Sequence, residues 1–121
     1  MSITNLKLLL VALLLTFSTT VAYADKTVAD LEGKDRESYE MFRHLFLNGT
    51  PEEFYDFADE YAKELHKKGY MMFYYKLLCN KGFFALRHNQ IYRAIQYAQA
   101  LDKEVRENKA SDYYYLATGL Y

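Results

Sequence analysis

From Ser38 to Glu107 apolar residues recur every three or four positions, the spacing of helices that each bury one face. Met41, Phe42, Leu45 and Phe46 make one face of a short helix that stops near Asn48-Gly49. Thr50-Pro51-Glu52-Glu53 then supplies an N-cap hydroxyl, a proline at the first helical position and a glutamate at the third, a capping box. The predicted helix runs over Pro51–Lys68 with Phe54, Phe57, Ala58, Tyr61, Ala62 and Leu65 on one stripe. It closes on His66-Lys67-Lys68-Gly69, cations at the negative end of the dipole and a glycine beyond. A third helix over Met71–His88 is apolar on more than one face, which predicts a place between neighbours. Gly82 inside it points to the close approach of another helix. A fourth, Ile91–Glu107, turns Ala94, Ile95, Ala98 and Leu101 inward and Lys103, Glu104, Arg106 and Glu107 outward. After a polar turn at Asn108–Ser111, Asp112–Tyr121 opens a fifth. No stretch alternates like a strand, and the short connections require consecutive helices to run antiparallel. The fold class is all-α.

The N-terminus follows another pattern. A head with one cation, Lys7, precedes the ten-residue apolar run Leu8–Phe17, too short to span a bilayer, for which about 20 residues are needed. Ala22 and Ala24 follow as the small residues of a cleavage site, so residues 1–24 read as a secretory signal peptide cut after Ala24. Its apolar run has no polar face, unlike a core helix. The expected location is outside the cytoplasm, periplasmic or secreted. Residues 25–37, charged and weakly periodic, read as a flexible leader.

Composition narrows the rest. The net charge of −1 offers no basic stripe for nucleic acid or an anionic membrane surface. Thirteen Tyr and eight Phe, with no Trp, make the apolar content strongly aromatic. The single cysteine, Cys79, leaves no internal disulfide, so helix packing must hold the fold. Cys79 suits a helix–helix interface; pairing between chains is the other use open to it.

A repeat organises the helices. FADEYAKEL at Phe57–Leu65 returns 36 positions later as RAIQYAQAL at Arg93–Leu101, aligning Ala58 with Ala94, Tyr61 with Tyr97, Ala62 with Ala98 and Leu65 with Leu101. Phe73–Leu101, with Gly82 in its first helix and Ala94, Ala98 and Leu101 in its second, resembles a tetratricopeptide repeat. Residues 38–69 then form an atypical first hairpin and 70–108 a repeat-like one. Residues 111–121, with Leu116, Ala117 and Gly119, resemble the first helix of a further, truncated repeat. The chain departs from the family pattern in having no Trp, in Lys81 at a place usually apolar, and in lacking a proline near Asn108. A generic helical bundle is the competing arrangement.

The resemblance implies antiparallel hairpins stacked as a short right-handed α-solenoid, acting as a non-enzymatic scaffold for a protein or peptide. Repeats directly after a signal peptide are also similar to the exported sensory regions of bacterial two-component proteins, which makes a sensory fragment the alternative. In such a solenoid the first helices line the concave side. Tyr75, Lys76, Cys79, Asn80, Phe83 and Tyr115 are therefore the candidate partner-binding residues, although their rings also suit the core between hairpins. The Lys/Asn set with which some family members hold a terminal carboxylate is not evident, since Cys79 and Phe83 stand where it would begin. The fifth helix, ending on Gly119-Leu120-Tyr121, is expected to expose an apolar edge and favour self-association.

Catalytic chemistry finds no foothold. His44, His66 and His88 fall near helix C-termini, far apart in sequence, without the turn-spaced partners a zinc site requires. Asp56, Asp59, Glu60 and Glu64 lie on a solvent flank, with Asp59 and Lys63 at pairing distance along it. Asn48-Gly49-Thr50 matches a glycosylation acceptor, but Thr50 is better used as a cap. No enzyme activity, metal, cofactor or nucleic acid is expected.

Overall fold

The computed structural model describes residues 26–109. Among them lie a 3-10 turn at Val28–Asp30 and four α-helices: α1 (Gly33–Asn48), α2 (Pro51–Lys68), α3 (Met71–Arg87) and α4 (Ile91–Glu107). Each helix packs on the next, α1 on α2, α2 on α3 and α3 on α4. The fold is all-α, as the periodicity requires. The predicted fifth helix and the signal peptide lie outside the described residues, as does Tyr115.

Local chemistry sets the boundaries. α2 starts on the capping box, with Glu53 N–H donating to Thr50 Oγ1 and Thr50 N–H to Glu53 Oε1, both at 3.2 Å. It ends where Gly69 turns left-handed (φ 75°), so that Tyr70 N–H reaches Leu65 O at 3.0 Å and Gly69 N–H reaches His66 O at 3.1 Å. Asn89 (φ 58°) does the same after α3, sending Gln90 N–H to Ala85 O at 2.8 Å. The end of α1 differs. Gly49 is extended, and a Cβ there would stand 2.7 Å from Leu45 O, so glycine is needed for close approach and not for left-handed freedom.

The segment expected to be a loose leader is built into the fold. α1 begins at Gly33, well before Ser38, and the chain ahead of it carries Leu31 into the core at 5% exposure. Asp30 accepts from the Thr27 N–H and hydroxyl, and Arg36 donates to Val28 O at 3.3 Å. These bonds are local and polar, so apolar periodicity gives no sign of them.

α2 buries Phe54, Tyr55, Ala58, Tyr61 and Leu65, which sit with Phe42, Phe73, Leu77 and Phe84 in an aromatic core. Phe54 and Phe84 stack at its centre, 4.1 Å between ring centroids. Tyr55 enters the core beside the predicted stripe because its hydroxyl donates to Gln90 Oε1 at 2.7 Å, which answers its one polar group. α3 is buried on both sides, contributing Phe73, Leu77 and Phe84 to this core and Tyr75 and Cys79 to a second one against Ala98, Leu101 and Val105 of α4. Ile95, expected inward, is 47% exposed, while Val105 takes the next inward position after Leu101.

Candidate functional site

α1 and α3 both rest on α2, and their side chains meet at Tyr39–Phe73 (edge-on, 5.7 Å) and Phe46–Phe84 (6.3 Å). The Arg87 guanidinium also bonds Phe46 O and covers the Phe46 ring at 4.6 Å. A cavity of about 670 Å3 opens between the two helices, with Thr27, Val28 and Ala29 of the 3-10 turn region also lining it. Its inner wall is largely apolar: Phe42, Tyr61, Phe73 and Leu77 are all buried core residues. Leu47 and Met72 add adaptable apolar surface from either helix. The polar residues on the lining are few: Arg43 from α1, Lys76 and Asn80 from α3, Thr27, and the tyrosines Tyr39 and Tyr61. A largely apolar recess of this volume with a few polar groups at the edge has the make-up of a binding site.

The helix period explains the assembly. Along α3, Phe73 with Leu77 and Lys76 with Asn80 stand four residues apart on two adjoining rows, and along α1 Tyr39, Arg43 and Phe46 follow at steps of four and three. Apolar side chains on these stripes reach the core beneath, and the longer polar ones stand at the edge. Burial of the Tyr61 hydroxyl, with Glu64, Asp35 and Tyr39 nearby, pushes its pKa far up, so it stays neutral.

The six sequence-chosen residues separate into three groups. Lys76 and Asn80 line the cavity. Tyr75, 1% exposed, and Cys79, 5% exposed, face the other way and fill the α3–α4 interface. Phe83 is 41% exposed and does not line the cavity, and Tyr115 lies outside the described residues. Burial pushes the Cys79 thiol up, which keeps it protonated at neutral pH. The split follows from the helical step: 75 and 79 share one stripe, 76 and 80 the adjacent one. Sequence reasoning passed over Arg43 and the turn residues Thr27–Ala29. Arg43 was visible as the one cation inside the Tyr39–Phe46 stripe, whereas nothing in the pattern of residues 26–32 marks them as a wall.

Other charged and ring groups act within the fold. Lys63 pairs with Glu60 at 3.1 Å and not with Asp59, which instead accepts from Lys81 at 2.8 Å. Lys81 also stands over the Tyr97 ring at 4.6 Å, so this cation at a usually apolar place ties α3 to both α2 and α4. His66 lies edge-on to Tyr74 at 5.1 Å and His88 stacks on Phe84 at 4.0 Å. The Tyr74 pKa is pushed up to about 12 by burial and by Glu104, to which its hydroxyl donates at 3.1 Å. Among the described residues no group of three or more His, Cys, Asp or Glu is placed to hold a metal ion, and no helix is long and apolar enough to cross a membrane.

Comparison with known proteins gives no matching family model, no similar curated protein and no similar solved structure. The geometry of the recess therefore stands without a relative to interpret it.

Proposed function

We propose that this protein is an exported, non-enzymatic interaction scaffold of the tetratricopeptide type that holds a protein or peptide segment in the recess between α1 and α3. One observation carries the reading: the recess lies between the first helices of two consecutive hairpins, the side on which stacked hairpins present a surface, and it is apolar and preformed. The internal repeat supports it, because two of its aligned pairs, Ala58 with Ala94 and Leu65 with Leu101, are buried in both second helices. Export rests on the Leu8–Phe17 run and the Ala22–Ala24 site; the mass of the chain recovered outside the producing cell should begin at Asp25.

Selection from a displayed peptide library, run in parallel on the wild type and on Ala29→Trp, tests the recess. Ala29 is exposed on the lining, so an indole there obstructs the opening without disturbing the core. Peptides enriched on the wild type should fail to bind the variant. Enriched peptides that bind both proteins equally would remove the recess from the proposal.

A further inference from the structure

The charge on the lining is of one sign. Its charged residues, among those described, are Arg43 and Lys76, both cations, one from each wall and both exposed. Neither is paired with a carboxylate among the described residues, whereas Lys63, Lys68, Lys81, Lys103, Arg36 and Arg106 all are. Lys34 and Lys67 are likewise exposed without a carboxylate partner among the described residues, but only Arg43 and Lys76 stand on the recess, where they would complement an anion on whatever enters. The chain as a whole carries a net charge of −1, so this positive edge is a local feature and not a general attraction for acids.

We propose that the segment bound in the recess is an acidic apolar one: a leucine-like or aromatic side chain enters between α1 and α3, and flanking Asp or Glu side chains pair with Arg43 and Lys76. This inference rests on the recess being the binding site and adds the chemistry of the occupant. Phe42, Phe73 and Leu77 take the apolar group, and Met72 and Leu47 adjust to its shape. Arg43 offers a planar fork to a carboxylate, Lys76 a point charge, and Asn80 lies on the same α3 stripe as Lys76 for a backbone amide.

The test uses end-blocked peptides, so that every charge is on a side chain: one of leucine and glutamate, one of leucine and lysine, and one of serine and glutamate. Affinities are measured by fluorescence anisotropy for the wild type, for Arg43→Glu/Lys76→Glu and for Ala29→Trp, each first shown by circular dichroism to keep its helices. The wild type should prefer the leucine–glutamate peptide over the other two by about tenfold, with binding weakened by added salt. The charge-reversed protein should prefer the leucine–lysine peptide, and Ala29→Trp should bind none. Equal binding of the glutamate and lysine peptides, both lost in Ala29→Trp, would overturn the acidic preference and leave the recess in place. Equal binding of the serine–glutamate peptide would reduce the site to surface charge and overturn the inference. Failure of the leucine–glutamate peptide to bind the wild type would overturn it as well. Binding that Ala29→Trp leaves unchanged would overturn the recess itself.

Discussion

Between α3 and α4 the facing residues are Tyr75 and Cys79 on one side and Ala98, Leu101 and Val105 on the other, and the interface is filled. α1 meets the rest of the molecule through rings: Phe42 lies 5.6 Å from Phe54 and 5.8 Å from Tyr61, and Phe46 lies 6.3 Å from Phe84. The side chains at a contact set how near two helices come. An alanine facing a ring lets the ring lie against the opposite backbone and closes the seam. The rings of α1 instead meet their neighbours tilted or edge-on with centroids 5.6–6.3 Å apart, and the recess opens beside these contacts. One aromatic composition thus builds a shut hairpin and, beside it, an open recess.

The comparison is broken most severely at the stacked pair in the centre of the first core. Phe84→Ala removes a fully buried ring in contact with Phe54, Tyr55 and Phe46, and should cost about 4 kcal/mol, a large share of what a domain of this size possesses. Urea unfolding followed by circular dichroism measures it. A loss below about 1 kcal/mol would show that the core repacks around the space. Next is a matched pair at equivalent repeat positions. Ala98→Leu forces volume into the shut α3–α4 seam and should destabilise by about 1–3 kcal/mol, whereas Ala62→Leu, at a half-buried site on α2, should stay within about 0.5 kcal/mol. Equal effects would show that the α3–α4 seam takes added volume as readily as the half-buried flank of α2.

The smallest effect concerns how α1 is pinned to α2. The Lys68 ammonium, which also bonds Glu64, donates to Asp35 and holds its carboxyl below the usual carboxylate range, with Tyr70 also donating at 3.2 Å. Because the folded value is depressed, the stabilisation is complete above the unfolded-chain value of about 4 and is lost as pH falls through the folded value. The pair is partly exposed and screened, so the loss should stay under about 1 kcal/mol. A titration of thermal unfolding between neutral and acid pH should show this component in the wild type and lack it in Asp35→Asn.

Much of the fold was legible because its signals are local. Thr50 with Glu53 and Gly69 after His66, Lys67 and Lys68 define α2 from sequence alone, and both ends act as their chemistry requires. The apolar excess of α3 announced a helix buried on two sides. What escaped depends on partners distant in sequence. Tyr55 is inward because Gln90 waits for its hydroxyl, and Lys81 is tolerated because Asp59 and Tyr97 receive it. Ile95 reads as apolar and inward, yet α4 turns Ala94, Ala98 and Leu101 to α3 and leaves Ile95 on the far side with Ile91 and Tyr92. The site was half legible: Lys76 and Asn80 stand on the recess, while Tyr75 and Cys79, one helical step away, serve the opposite interface.

The position of Cys79 turns the molecule into its own reporter. As the single thiol of the chain, shut between α3 and α4 and held protonated by burial, it reacts with an added reagent only when those helices part. Its labelling rate therefore counts opening events of one hairpin, without any engineered probe. Occupancy of the recess on the far side of α3 leaves this seam untouched. A ligand that slows the labelling does so by holding the whole domain together, and one that does not has found a hairpin that breathes alone.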